Sequence, residues 1–178
     1  MIDLHTHTLL SDGDLLPSEL VRRAAVNGVK VIAITDHADH SNIEFVIDSL
    51  TRAAKALNKF WDIRVIPGVE LTHIPLETIE ELTKLARRKG AKIVVMHGES
   101  PVEPVIPGTN RRAIEAGVDI LAHPGYIKEE DVALAKVRGV HLEITTRRGH
   151  NLGNKHVFTL ASTMGAKMVL DTDSHTPE

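Results

Sequence analysis

Residues 29–37 read VKVIAITDH, an apolar and β-branched run that ends in an aspartate and a histidine. A run of this kind occurs seven times along the chain, and each of the first six is followed by a loop and a segment of helical character. The seven runs are Ile2–Leu4, Val29–Thr35, Ile63–Val69, Lys92–Met96, Ile120–Ala122, Val140–Ile144 and Lys167–Leu170. A repeated strand–helix unit is typical of an α/β fold with a parallel sheet.

Segments with helical periodicity separate the strand-like runs. They are Pro17–Ala25, Ile43–Lys59, Leu76–Lys89, Asn110–Ala116, Glu129–Lys136 and Asn154–Met164. Five of them are followed by a glycine before the next strand, which is where a left-handed residue commonly ends a helix. These glycines are Gly28, Gly90, Gly117, Gly139 and Gly165. Their regular recurrence supports the repeated unit.

The runs are continuously apolar, which indicates strands buried on both faces and therefore a parallel sheet. An open sheet would place its site at a switch point between a few strands, whereas here candidate ligands follow every run. We therefore predict a closed (βα)7 TIM-like barrel with parallel strands, forming one domain over residues 1–178. No helix follows the seventh run, so we expect this domain to lack its C-terminal helix. A homo-oligomer contact or another partner could cover that side.

The composition restricts the classes of function. The 178 residues carry a net charge of −3 without a basic stripe, so long nucleic acids are not expected as partners. There is no cysteine, and any metal must bind to carboxylates and to the 11 histidines. The N-terminus has no signal-peptide pattern and no run of about 20 apolar residues occurs, so we expect a cytoplasmic protein without membrane contact.

Two pairs of metal-ligating residues have the same spacing. His5 and His7 lie two positions apart, which places both imidazoles on one face of a strand. Asp173 and His175 repeat this spacing at the last strand. The first and last strands are neighbours in a closed barrel, so the two pairs should face each other. Asp12, in the loop after the first pair, can complete the shell of one ion.

The middle strands add further candidate ligands. Asp36 and His37 follow the second run and should point to opposite sides, with His37 as ligand and Asp36 as its support. Glu70 ends a buried run, where its two oxygens could bridge two ions. His97 and His123 would each be read as core histidines if taken alone. Because each of them follows one of the seven strand-like runs, as other candidate ligands do, both are ligand candidates.

Other polar residues near the strand ends receive weaker assignments. Glu143 could be a ligand or a hydrogen-bond acceptor behind one. Arg147 and Arg148 follow the sixth run and could bind the oxygens of an anionic substrate as catalytic residues. His141 lies within a strand-like run and is expected to pack there. Four other histidines are expected in solvated loops or on helix faces, and the first two of them follow strand ends, where they could touch substrate. They are His40, His73, His150 and His156.

About nine nitrogen and oxygen ligands are too many for one ion and suit two or three divalent ions. Imidazole together with carboxylate favours zinc, manganese or iron. Such a cluster can activate a bridging water for hydrolysis, and phosphoester cleavage suits it best. We expect in-line attack of a metal-bridging hydroxide on phosphorus. The proton for the leaving group could come from a metal-bound water, from Asp36 or from a loop histidine.

The motif series resembles the PHP family, named for polymerase and histidinol phosphatase. The motifs that carry the resemblance are Asp3-Leu4-His5-Thr6-His7, Ser11-Asp12-Gly13, Thr35-Asp36-His37, Gly68-Val69-Glu70, His97-Gly98, Ala122-His123-Pro124 and Asp173-Ser174-His175. The resemblance implies a distorted (βα)7 barrel and a trinuclear site. It also implies the metal ligands His5, His7, Asp12, His37, Glu70, His97, His123, Asp173 and His175. A stand-alone, histidinol-phosphatase-like enzyme acting on a small phosphomonoester is the expected form.

Three other functions remain open at this level. A metal-dependent amidohydrolase also begins with a His-x-His strand, but such enzymes typically bridge their metals with a strand-end lysine, which is missing here. A phosphodiesterase or nuclease could use the same metal site. A non-catalytic, metal-bound accessory domain is the third alternative. Substitution of His37 separates catalysis from structural metal binding.

Overall fold

A computed structural model describes residues 1–177, and residue 178, the last of the predicted domain, lies outside the described residues. The strands are β1 (Ile2–Asp3), β2 (Val31–Ile34), β3 (His37–Ala38), β4 (Arg64–Leu71), β5 (Ile93–His97), β6 (Ile120–Ala122), β7 (His141–Thr145) and β8 (Met168–Asp171). The helices are α1 (Pro17–Val26), α2 (Ile43–Phe60), α3 (Ile79–Lys89), α4 (Thr109–Ala116), α5 (Glu129–Arg138) and α6 (Asn154–Met164). Strands and helices alternate along the chain, as the sequence predicts.

The strands form a nearly closed parallel barrel. Their order is β1, β2, β4, β5, β6, β7 and β8, and β3 also pairs with β4, so β2 and β3 share one position. The ends of the sheet meet through a bridge between Thr6 and Ser174. Two backbone hydrogen bonds extend this seam, from the amide of His7 to the carbonyl of Ser174 and from Asp173 to His5, each 2.9 Å. The prediction of a seven-position TIM-like barrel is confirmed.

Two predicted elements differ in detail. The second run is divided into β2 and β3 at residues 35–36, where the amide of Thr35 bonds to the carbonyl of Thr6 at 2.8 Å. The segment predicted as one helix over Leu76–Lys89 begins with a 3-10 turn, Leu76–Thr78, before α3. The predicted glycines follow the helices with positive φ angles, and Gly90, for example, has φ 111°. Left-handed backbone at these positions ends the helices as expected.

Period-two alternation aims side chains into the barrel. Along β5, Ile93, Val95 and His97 share one face, so the imidazole continues an inward-pointing apolar row to the mouth. The interior cluster contains Val95, Ile120 and Ala122, packed against Leu4, Ile93 and Val169. A larger cluster lies between the strands and the helices. Truncating a buried member of that layer, such as Leu121, would cost about 2–5 kcal/mol of stability.

Carboxylates replace part of the hydrogen-bond ladder at the seam. The amide of Leu4 donates to Oδ1 of Asp171 at 2.7 Å, and the amide of Thr172 donates to Oδ1 of Asp3 at 3.2 Å. The hydroxyl of Thr172 also donates to Oδ2 of Asp3, at 2.6 Å. Burial raises the pKa of Asp171 to about 7. The seam therefore depends on side-chain acceptors as well as on backbone pairing.

The ring of helices is open between α6 and α1 in the described part of the chain. Ile2 and Leu170 are exposed on this flank, at 58% and 65% of their surfaces. A groove of about 510 Å³ runs beside α1, with Leu15, Leu20 and Ile32 in its lining. The expectation of a partner on this side stays a prediction. None of the helices described in residues 1–177 combines the length and apolarity that a membrane crossing requires.

Candidate metal centre

The predicted ligands converge at one mouth of the barrel. Nε2 of His7 lies 3.1 Å from Nε2 of His5 and 3.3 Å from Oδ1 of Asp173, so the first and last strands face each other as expected. The imidazoles of His97 and His123 are adjacent, with ring centroids 4.4 Å apart. All nine predicted ligands lie in this one constellation, within contact of at least one other member.

Glu70 lies at the centre of the constellation. Its Oε2 is 3.4 Å from Nε2 of His5, 3.6 Å from Nε2 of His7 and 2.7 Å from Nδ1 of His37. Its Oε1 is 3.6 Å from Nε2 of His123. The side chain is fully buried, yet neither oxygen has a hydrogen-bond partner of good geometry. A buried carboxylate in this condition is costly unless cations neutralise it, which fits the predicted bridge between ions.

Four side chains on the β1–β8 side form what we call the seam cluster: His7, Asp12, His37 and His175. Each offers one ligand atom within 4.8 Å of the others. Oδ1 of Asp12 is 3.2 Å from Nε2 of His175 and 3.6 Å from Nε2 of His37. Nδ1 of His7 is buried without a hydrogen-bond partner. The donor set of three imidazoles and one carboxylate suits zinc, manganese or iron.

Glu143 lies behind a ligand and faces away from the mouth. Its Oε1 is 2.6 Å from Nδ1 of His5, and its Oε2 accepts a hydrogen bond from the amide of His123 at 2.8 Å. Both oxygens are engaged, so of the two roles considered from the sequence the geometry matches the acceptor. A carboxylate on Nδ1 fixes the ring so that Nε2 points at the site, an arrangement common behind metal-bound histidines.

The charges at the centre shift neighbouring histidines in opposite directions. Burial disfavours protonation of His5, but the carboxylates of Glu143, Glu70 and Asp173 outweigh it and raise its pKa well above the usual value. Burial and the neighbouring His37 lower the pKa of His7 well below the usual value. Burial raises the pKa of Asp173 to about 6. Crowded acids and imidazoles of this kind are typical of functional sites.

A second group, the loop cluster, comprises His73, His97, Glu103 and His150. Oε2 of Glu103 is 3.0 Å from Nε2 of His73 and 3.2 Å from Nε2 of His97, and its Oε1 is 3.3 Å from Nε2 of His150. His97, through its hydrogen bond and charge, lowers the pKa of Glu103 to about 2. The expectation that His150 is solvated is wrong, because only 6% of it is exposed.

Sequence reasoning missed Glu103 because the residue lies six positions past the end of β5, inside a proline-rich loop. No fixed spacing relates such a position to the strand. A search for carboxylates in every loop at the barrel mouth would have included it. The sequence gives no reason to place His150 in the site, since a loop histidine is more often exposed. Its burial depends on contacts with other loops that the sequence does not display.

Asp36 holds the first loop and does not support His37 as expected, because Nδ1 of His37 lies against Oγ1 of Thr72, at 2.7 Å. Its Oδ1 accepts hydrogen bonds from the amide of Thr8 and the hydroxyl of Ser11, each 2.7 Å, and its Oδ2 accepts one from the hydroxyl of Thr8 at 2.8 Å. Arg147 reaches the mouth, where Nη1 contacts the carbonyl of Asp173 at 3.1 Å and also Nδ1 of His175. Arg148, the next residue in that loop, is exposed.

Comparison with known families agrees with this geometry. Residues 3–106 match the model of the PHP domain. The chain belongs to the PHP family of metal-dependent phosphoesterases. An uncharacterized protein of Methanocaldococcus jannaschii is 52% identical over 178 residues, covering 99% of this PHP chain and 82% of the relative. The PHP chain is therefore a hydrolase with a metal-binding fold, as the motif series predicts.

Two further relatives carry functional names. The DNA polymerase/3'-5' exonuclease PolX of Bacillus subtilis is 26% identical over 99% of this PHP chain, which spans 34% of that protein. The crystal structure of histidinol phosphate phosphatase from Lactococcus lactis, complexed with zinc, L-histidinol and phosphate, superposes with a TM-score of 0.72. It is 18% identical and covers 99% of this chain and 87% of its own, so this likeness shows the fold.

Three loops of the PHP barrel are packed backbone to backbone at the mouth. A Cβ atom added to Gly98 would lie 2.3 Å from the carbonyl oxygen of Ala122, and one on Gly125 would lie 2.1 Å from that of Glu99. A Cβ on Gly153 would lie 2.6 Å from the carbonyl oxygen of Gly125. The loops after β5, β6 and β7 therefore form a glycine chain: Gly98, Gly125 and Gly153. Their close packing requires residues without side chains.

Proposed function

We propose that this protein hydrolyses a small phosphomonoester, in the manner of a histidinol phosphatase, with two or three divalent ions of zinc, manganese or iron at the mouth. The observation that carries the proposal is the convergence of nine imidazole and carboxylate side chains around the unsatisfied, buried Glu70. We assign the ions to His5, His7, Asp12, His37, Glu70, His97, His123, Asp173 and His175. When bound, the ions would supply Lewis acidity and an activated water for attack on phosphorus.

The protein's own groups hold the substrate and the ligand set in place. Arg147 lies beside Asp173 and His175, where its guanidinium can bind phosphoryl oxygens next to the ions. Arg148, exposed in the same loop, adds positive charge to the approach. Asp36 fixes the loop that carries Asp12, through its hydrogen bonds to Thr8 and Ser11. Proton supply to the leaving group belongs to water at the site or to a loop histidine, because Asp36 is buried and its oxygens already accept hydrogen bonds from Thr8 and Ser11.

The charge of the mouth favours a small substrate over a polyanion. The loops that follow the strands are 4–16, 39–42, 72–78, 98–108, 123–128, 146–153 and 172–177. Their cationic residues are Lys128, Arg147 and Arg148. Their acidic residues are Asp12, Asp14, Asp39, Glu77, Glu99, Glu103 and Asp173. Binding to long nucleic acids depends on many cations that neutralise phosphates, and these loops carry an acidic excess instead.

Apolar side chains surround the polar centre. Exposed residues of the same loops include Leu9, Val102, Ile106, Tyr126 and Leu152. These apolar side chains can contact the carbon skeleton of an ester while the ions and Arg147 bind its phosphate. Small-molecule sites commonly combine an apolar lining with a few polar groups that fix the ligand. The similarity in fold to the histidinol phosphate phosphatase of Lactococcus lactis supports a substrate of this size.

The test begins with metal-stripped protein reloaded separately with zinc, manganese or iron. A generic phosphomonoester and a generic phosphodiester are offered, phosphate release is measured, and bound metal is counted by elemental analysis. We expect metal-dependent monoester hydrolysis with two to three ions per chain. His37→Gln should abolish turnover, whereas His40→Gln, an exposed histidine three residues away, should retain it. Circular dichroism checks that both variants are folded.

The alternatives give different results in the same assay. Preference for the diester would establish a phosphodiesterase or nuclease. The similarity to PolX of Bacillus subtilis is consistent with this alternative. Stoichiometric metal binding without hydrolysis of either ester, or of a panel of small phosphorylated metabolites, would indicate a non-catalytic accessory domain. Equal activity of the His37→Gln variant and the parent would overturn the catalytic assignment of the seam cluster.

A further inference from the structure

The loop between β5 and α4 places a carboxylate against the imidazole of His97, one of the candidate metal ligands. Nε2 of His97 lies 3.2 Å from Oε2 of Glu103. Within residues 1–177, Glu103 is the one carboxylate within 4.0 Å of His97, so the central Glu70 is farther away. Nδ1 of His97 is directed to the carbonyl of Gly98 at 3.1 Å, which leaves Nε2 as the ligand atom. Any ion bound by Nε2 of His97 is therefore within reach of Glu103.

The separations between Glu103 and its three histidines are those of ligands around one ion. The distances are 3.0 Å to His73, 3.2 Å to His97 and 3.3 Å to His150. Ligands about 2.0–2.1 Å from a tetrahedral zinc ion lie about 3.3 Å from one another. Direct charge-assisted hydrogen bonds between nitrogen and oxygen are shorter, about 2.7–2.9 Å. The spacing therefore suits a shared cation better than a set of close ion pairs.

Unpartnered ring nitrogens are independent evidence for a ligand at this place. Nδ1 of His150 and Nδ1 of His123 have no hydrogen-bond partner, although these residues are 6% and 2% exposed. Ligand atoms of His97, His123 and His150 lie within 4.8 Å of one another, and so do those of His73, His97 and Glu103. Buried polar atoms are normally satisfied, so these imidazoles call for a cation or an ordered water.

The loop holds Glu103 in a fixed position. Oε1 of Glu99 accepts hydrogen bonds from the amides of Gly108, at 3.0 Å, and of Asn110, at 2.9 Å, which ties the two ends of the loop together. The amide of Glu99 donates to Oδ1 of Asn110 at 3.0 Å. Three prolines within the loop, Pro101, Pro104 and Pro107, restrict its backbone further. A ligand presented on a constrained loop loses little entropy on binding an ion.

We propose that Glu103 is a tenth protein ligand of the metal centre. It joins His97 in binding one divalent transition-metal ion, and His73 and His150, whose Nε2 atoms lie 3.0 Å and 3.3 Å from its carboxylate, are the further candidate ligands. The inference rests on the metal-dependent function proposed above, but it concerns ion binding alone and can fail separately from it. It also assigns the loop between β5 and α4 a role in building the site, in addition to shaping its entrance.

The test is a metal titration of the full chain with matched variants. Metal-free wild type, Glu103→Gln and Glu77→Gln are titrated with cobalt(II), followed by visible absorption, and with zinc, followed by equilibrium dialysis and elemental analysis. Glu77 lies in a neighbouring mouth loop and is exposed, so its substitution removes the same charge. We expect Glu103→Gln to weaken one ion by at least about 10-fold and to change its cobalt spectrum. Glu77→Gln should bind ions like wild type.

Several outcomes would overturn the assignment. Equal stoichiometry, affinities and spectra in Glu103→Gln and wild type would show that Glu103 is not a ligand. Equal weakening of every ion would show a general effect on the fold. If metal-free Glu103→Gln unfolds at a lower temperature than wild type, Glu103→Asp is the deciding variant. Its shorter side chain keeps the negative charge but moves the carboxylate oxygens away from the ion. We expect it to weaken binding of the same single ion. A wild type that binds ions without hydrolysing esters would refute the proposed function alone.

Discussion

The seam cluster and the loop cluster lie at the same mouth but are built differently. Two of the four seam residues, His7 and His175, lie at the β1–β8 closure, where backbone pairing fixes the chain: His7 bonds to Ser174, and Asp173 bonds to His5. A third, His37, is held by the pairing of β3 with β4. In the loop cluster, Glu103 and His150 come from two irregular segments. Strand register places one cluster, whereas loop-to-loop packing places the other.

The contrast shows why one metal centre has both rigid and adaptable parts. Register cannot change by one residue without turning every side chain to the other face, so the seam ligands are strongly specified. Loop residues can be replaced without disturbing the sheet. We therefore expect the seam cluster to provide the basic ion-binding capacity, and the loop cluster to adjust the number of ions and their accessibility.

Glu70 contacts His37 of the seam cluster and also His123, whose ring is adjacent to that of His97, so Glu70→Gln gives the largest expected effect. The substitution leaves the volume unchanged but removes the central charge that faces His5, His37 and His123. We expect activity to fall by well over the roughly 100-fold seen for residues behind metal ligands, with fewer ions bound. Turnover and elemental analysis measure this. Loss of ions from only one cluster would contradict the bridging role.

Glu143→Gln should have the next largest effect. The amide can still accept one hydrogen bond but cannot serve both Nδ1 of His5 and the amide of His123 as an acceptor. Residues behind metal ligands typically contribute about 10–100-fold in metal affinity or activity, and we expect a loss in this range. Competition titration with a chelator measures the affinity. An unchanged affinity would mean that strand register alone orients His5.

Arg147→Gln tests whether the seam side also binds substrate. A charge-assisted hydrogen bond is worth about 1.5–3 kcal/mol, so we expect kcat/KM for the phosphomonoester to fall by roughly 10–150-fold, with metal content unchanged. Arg148→Gln, the matched control in the same loop, should change kcat/KM much less because that side chain is exposed and makes no contact with the cluster. Equal effects of both substitutions would indicate nonspecific electrostatic attraction.

Asp171→Asn should have the smallest effect, on the pH dependence of stability in metal-free protein. Its raised pKa, about 7, means that the folded state binds a proton that the unfolded state has already released. This stabilisation is complete below about pH 4 and is lost as the pH rises through about 7. Asparagine can still accept from Leu4 through Oδ1. Thermal unfolding between pH 5 and 8 should therefore show a shallower decline in the variant.

The contrast between residues placed by strands and residues placed by loops also explains how much of the fold and of the candidate site the sequence predicts. The barrel and the convergence of the nine candidate ligands at its mouth were predictable, because buried parallel strands are continuously apolar and their carboxyl ends meet at one end of a barrel. The split between β2 and β3 was not, because nothing in the continuous apolar run Val29–Thr35 marks a break between two strands. Glu103 and His150 were also missed, since their positions depend on how separate loops pack together.

The glycine chain has a consequence for exchanging substrate specificity between related barrels. Gly98, Gly125 and Gly153 each press against the backbone of another loop, so the three loops form a single unit at their bases. Their outer positions, such as Val102, Tyr126 and Leu152, are exposed and free of this constraint. Transplanting one whole loop would create a collision with its neighbour. Substituting only the exposed outer residues, or transplanting all three loops together, preserves the backbone packing on which the positions of the candidate ligands depend.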